Sequence, residues 1–172
     1  MPSMSRPDNT AAGQCALFDA GLFIAALLKG DPRHAEARPL VEQARRGELL
    51  ACTTASILSE VYGALTWERA EPRHDPMEAA EAVRLLIEPP SAIRVMGEGL
   101  EVALRALELA ARYGLTARRV HDARHAAAAL VAGIREVYTY DIADWQAFEL
   151  DGLRVARPIS TLAAIDVTQG MS

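Results

Sequence analysis

The chain is nearly devoid of lysine: Lys29 is the only one, and every other basic side chain is Arg. Aromatic residues make up 5% of it, so Ala, Leu, Val and Ile must supply the core. Its two cysteines, Cys15 and Cys52, form neither a Cys-x-x-Cys pair nor a Cys/His zinc spacing. Both lie in apolar runs that read as strands, where a thiol behaves as a small buried hydrophobe. No apolar run approaches the ~20 residues of a membrane-spanning helix. Residues 1–14 hold no apolar stretch of the kind found in a signal peptide. The expectation is a cytoplasmic protein without membrane contact.

Several catalytic signatures are also missing. There is no Gly-x-x-x-x-Gly-Lys-Ser/Thr loop, no Gly-x-Gly-x-x-Gly after a strand and no His-Glu-x-x-His. No Gly-x-Ser-x-Gly elbow is present. The formal net charge of −5 argues against a general basic coat for nucleic acid. It leaves room for a local Arg cluster. A phosphotransfer receiver domain would need a lysine late in the chain, and Lys29 is early.

What the sequence has is an alternation of apolar segments. Strands are expected over 15–18, 49–53, 93–96 and 137–140, with a further one over 153–156. Helices are expected over 22–28, 32–46, 57–67, 77–87, 98–113, 120–131 and 143–148. Asp31 with Pro32 reads as the start of the second helix, and Gly47, Gly114 and Gly133 as helix ends. Within 98–113, Leu100, Ala103, Leu104, Leu107 and Ala111 recur at helical spacing. Such alternation predicts an α/β fold, a three-layer α/β/α sandwich around a mostly parallel sheet of four to five strands. Residues 1–14 read as a disordered segment, 15–157 as one domain and 158–172 as a tail.

Four acids sit at the edges of these segments: Asp19, Glu60, Asp122 and Asp141. A carboxylate beside buried apolar structure is costly unless its charge is offset. Taken singly, Asp19 suits a helix cap, Asp122 the first turn of a helix, Asp141 a turn and Glu60 a solvated face. Taken together they suggest a hard divalent cation on oxygen ligands and phosphodiester hydrolysis. Asp144, three residues after Asp141, suits a cap and reads as a secondary acid. His121 and His125 share a helix face and read as surface histidines flanking the site. Arg118, Arg119 and Arg124 on the same segment read as phosphate contacts.

The motifs Leu17-Phe-Asp19, Ser59-Glu60-Val-Tyr, His121-Asp122-Ala-Arg-His-Ala-Ala-Ala and Tyr138-Thr-Tyr-Asp141-Ile-Ala-Asp144-Trp resemble the PIN-domain ribonucleases. The pattern is similar in particular to toxins of the VapBC toxin–antitoxin class, over about residues 15–157. The resemblance implies a PIN-like fold and an acidic quartet, Asp19, Glu60, Asp122 and Asp141, that binds Mg²⁺ or Mn²⁺. It implies an RNA substrate, a cognate antitoxin protein as partner and a homodimer. It departs at two places. The family usually has Thr or Ser after its first aspartate and then often Asn or Ser, where this chain has Ala20 and Gly21. The stretch 68–76 is longer and richer in proline. Lost hydroxyls beside a metal ligand weaken the groups that orient it. They motivate the alternative of a catalytically weak PIN-fold module that binds RNA or protein.

Overall fold

The computed structural model describes residues 15–158. The segment 1–14 and all of the tail beyond 158 lie outside the described residues. Five strands form one sheet: β1 (Ala16–Phe18), β2 (Ala51–Thr54), β3 (Arg94–Met96), β4 (Glu136–Tyr138) and β5 (Arg154–Ala156). The order is β3-β2-β1-β4-β5 and every pairing is parallel. The central strand β1 is a continuous apolar run because both faces of a parallel sheet are covered. Residues Cys15, Ala16, Leu17 and Phe18 are all buried.

The helices are α1 (Ala20–Leu27), α2 (His34–Arg45), α3 (Ala55–Thr66), α4 (Pro76–Ile87), α5 (Leu100–Tyr113), α6 (Arg119–Val131) and α7 (Ile142–Trp145). A short 3-10 turn, Gln146–Asp151, follows α7. From β1 to β2 to β3 the chain moves one way across the sheet, with α1–α4 as crossovers. From β3 it returns past β1 to β4, with α5 and α6 as the crossover. Right-handed connections therefore place the two sets of helices on opposite faces. The packing agrees, since α1 packs on α2 and α3, α3 on α4, α5 on α6 and α6 on α7. The alanine run Ala126–Ala129 of α6 is wholly buried, which lets this helix approach its neighbours closely.

Several element boundaries differ from the sequence-based expectation. The first helix does not wait for position 22. Instead α1 starts at Ala20 and Asp19 is its N-cap. Asp31 does not cap α2, which starts at His34. Its carboxylate instead accepts from the Arg33 backbone N–H and from the Arg33 guanidinium, each at 2.8 Å. Pro76 belongs to α4, behind an Asp75–Glu78 capping box. The stripe Leu100, Leu104 and Leu107 of α5 faces outward, while Val102, Ala106 and Leu109 are buried. Gly114 ends α5 at φ +60°, as its sequence position suggested. Both cysteines are buried and free. Among the described residues no helix is long and apolar enough to cross a membrane.

Candidate functional site

Strand order reverses between β1 and β4, and open parallel sheets bind ligands beyond the carboxyl ends of strands at such a point. Asp19 follows β1 directly, and Asp141 follows β4 by three residues. Glu60 projects from α3 and Asp122 from the first turn of α6. The four carboxylates line one cleft of about 360 Å³, together with Arg33, Thr139 and Tyr140. Among the described residues no three His, Cys, Asp or Glu side chains are grouped tightly enough to enclose an ion. The cleft gathers the acids without closing them around a point.

Asp19 is the most firmly held of the four. Its Oδ1 accepts from the Ala20 backbone N–H at 2.8 Å. Its Oδ2 accepts from the Thr139 hydroxyl at 2.6 Å and from the Trp145 indole N–H at 3.2 Å. Thr139 in turn accepts from the Asp141 backbone N–H at 2.9 Å, so the first and fourth acids share one tether. The donors absent at Ala20 and Gly21 are thus supplied from β4's end and from α7. Burial raises the Asp19 pKa, and the Thr139 and Ala20 hydrogen bonds oppose that rise.

Glu60 is exposed on one side, yet its Oε1 meets His125 Nε2 at 2.8 Å. His125 is not a surface histidine: it is 1% exposed and lies among the buried alanines of α6. Its spacing from His121 placed both on one face, but His121 in the first turn is exposed, whereas His125 in the next is buried and meets Glu60 of α3. His121 lines a second hollow, beside Ser56, Ser59, Glu60 and Arg124. Glu60 is the wall shared by that hollow and the acidic cleft.

The arginines divide. Arg118 is exposed at the N-cap of α6. Arg119 stands 3.6 Å from Asp144, outside the cleft lining. Arg124 is tied to Glu98 at 2.9 Å, and Glu98 also accepts from the Ser56 backbone and hydroxyl. Arg33, which no sequence motif marks, lines the cleft with its guanidinium 4.5 Å over the Tyr140 ring. Thr139, Tyr140 and Trp145 stand inside the motif that contains Asp141, but only contact geometry reveals what they do.

The electrostatics bear on whether a cation suits the site. Asp122 is pushed up from 3.8 to about 6, first by burial, then by the charges of Asp144 and Asp19, with Glu60 adding to them. Like charges crowd here with no basic side chain bonded to Asp122. An all-oxygen donor set under such repulsion fits a hard divalent ion. The sign of the stability effect follows. A raised carboxyl pKa contributes stability that is complete below the unfolded value and is lost as pH rises through about 6. The rise is worth roughly 3 kcal/mol before screening. Partial exposure and the favourable helix N-terminus reduce this to about 1 kcal/mol. Asp122→Asn is therefore expected to raise the melting temperature of metal-free protein by about 2–4 °C at pH 7. The gain should vanish near pH 4. Thermal melts across that range in EDTA check it, and a variant less stable than the parent at pH 7 contradicts it.

A PIN-domain family model matches residues 16–146. Among solved structures, the fold is similar to the sarcin–ricin loop cleaving toxin VapC20 of Mycobacterium tuberculosis, with a TM-score of 0.61 and 21% identity. That match covers 77% of this chain and 94% of that one. DNA-bound VapBC from Salmonella typhimurium matches with a TM-score of 0.58 and 18% identity, over 85% of this chain and 98% of that one. A toxin–antitoxin complex from Klebsiella pneumoniae matches at 0.56 and 19%, over 83% and 97%. A comparison with curated protein sequences finds no significant match.

Proposed function

The chain belongs to the PIN-domain family, and from that membership we propose that it is a metal-dependent endoribonuclease, the toxin of a toxin–antitoxin pair. The observation that carries this reading is the meeting of Asp19, Glu60, Asp122 and Asp141, from four separate elements, in one cleft at the sheet's switch point. Asp19 and Asp122 would hold Mg²⁺ or Mn²⁺, and Asp141 would complete the site directly or through water. Such an ion, when bound, supplies Lewis acidity toward a water and toward the attacked phosphate. Glu60 would bind the ion through water or orient the nucleophilic water, and His125 holds its carboxylate. Arg118, Arg119 and Arg124 contact the RNA backbone, where their charge offsets the acidic cleft. The secondary acid Asp144 adjusts Asp122 by charge.

The solved neighbours include toxin–antitoxin complexes. By analogy with them, the partner of this chain is a cognate antitoxin protein. The exposed leucines of α5 favour a homodimer. The competing reading, a catalytically weak binding module, draws on Ala20 and Gly21. The Thr139 and Trp145 donors on Asp19 favour the nuclease over it. The deciding experiment is RNA cleavage by purified protein. Cleavage is expected with Mg²⁺ or Mn²⁺, should stop in EDTA and should return when the metal is restored. Folded protein that cleaves no RNA under any of these conditions favours the module.

A further inference from the structure

We propose that a hollow beside the acidic cleft, between α1 and the end of α3, binds an unpaired nucleobase of the RNA, stacked on Trp67. The proposal rests on the ribonuclease reading and adds a subsite to it.

The hollow has a volume of about 320 Å³ and is lined by Ile24, Leu28, Ala64, Trp67, Arg69 and Glu71 among others. Ile24 also lines the acidic cleft, so one side chain forms the partition between the two. Asp31 stands at the rim of the hollow, and the arginine it binds, Arg33, stands in the cleft. A base seated here thus belongs to a nucleotide adjoining the phosphate over the acids.

Trp67 is 56% exposed, an unusual fate for an indole in a chain so poor in aromatics. Arg69 carries its guanidinium 5.6 Å above the same ring. An exposed ring with an arginine beside it is the means by which proteins hold unstacked bases. The walls are apolar, as a base face requires. Glu71, which also lines the hollow, repels phosphate and accepts from an exocyclic amino group. Base and cleft chemistry are thereby kept apart.

The hollow is also a built feature. The Gly30 N–H donates to the Glu71 carbonyl at 3.0 Å, which ties the loop after α3 to the end of α1. A side chain at position 30 would stand 2.7 Å from that carbonyl, so only glycine permits the approach. The Ala70 N–H donates to the Trp67 carbonyl and turns the chain under the ring. This loop falls in the stretch 68–76, which the family pattern left unaccounted for.

Trp145 is buried but bonded to Asp19 in the cleft, so the fluorescence change assigned to Trp67 is the part that is lost in Trp67→Phe. The full chain, in Ca²⁺ buffer, is titrated with single-stranded RNA hexamers and with an abasic ribose-phosphate hexamer. Intact RNA is expected to quench the indole and the abasic strand to leave it bright. In anisotropy titrations of labelled RNA, Trp67→Ala should weaken binding about 5- to 150-fold, the span of one stacked base. Trp67→Phe should stay within about threefold because a ring remains. Binding needs no turnover, so an inactive protein that still passes this test sinks the nuclease reading alone. Equal quenching by both strands, or unchanged affinity in Trp67→Ala, overturns the proposal and leaves the hollow to a protein partner.

Discussion

Asp19→Asn is expected to abolish metal-dependent RNA cleavage, by at least about 100-fold, while the protein stays folded. The geometry explains both halves. Three donors converge on the Asp19 carboxylate, two of them on Oδ2. An asparagine can keep its carbonyl oxygen toward Thr139 and Trp145. Its amide then faces the Ala20 N–H, a donor against a donor, and one hydrogen bond worth about 1 kcal/mol is lost. Removing a carboxylate whose pKa is raised by burial offsets that loss. Metal affinity has no such compensation, because an amide brings no charge to a hard cation. Cleavage of RNA in Mg²⁺, beside a thermal melt of the same sample, checks both. A correctly folded variant that cuts like its parent removes Asp19 from the site. Thr139→Val separates the two roles, since it keeps the charge and removes only the tether.

The layout of the fold was legible because it rests on periodicity. Strand and helix segments announce themselves by apolar spacing, and the parallel sheet follows from their alternation. The acidic edge was legible for the same reason, since Asp19 and Asp141 each follow a buried run. Glu60 and Asp122 entered through motif resemblance, and the cleft contains both. What the sequence hid are contacts between distant positions. Thr139 and Asp19 are 120 residues apart, and Trp145 and Asp19 are 126 apart. Nothing local marks Trp145 as a donor to a carboxylate, since an indole with Phe148 nearby reads as core. His125 was misplaced because helical spacing assigns a face but not what covers it. Only its burial and its bond to Glu60 of α3 show that it is not on the surface. Arg124 illustrates the converse. Its charge is obvious in the sequence, but its partner Glu98 lies in the loop between β3 and α5.

The outward stripe of α5 leads to the second large effect: Leu104→Glu is expected to convert a dimer into a monomer. Leu100, Leu104 and Leu107 are 76%, 58% and 64% exposed and lie on one face of the helix. Covering a leucine is worth about 1.5–3 kcal/mol, so a second copy over all three gains several kcal/mol before the cost of association. A two-fold axis perpendicular to α5 lays the two copies antiparallel. That arrangement sets the acidic first turn of one copy, with Glu101, beside the basic last turn of the other, with Arg112. The helix dipoles are opposed as well, which favours the pairing. A glutamate at position 104 places two charges at the centre of this contact, one from each copy, each beside its own Glu101 and Glu108. A loss of about 3 kcal/mol raises the dimer dissociation constant more than 100-fold. The variant should still fold, because position 104 is exposed in the single chain and Glu is a good helix former. Light scattering at tens of micromolar reads the outcome. A parent chain that is monomeric there, or a variant that stays dimeric, excludes α5 as the interface.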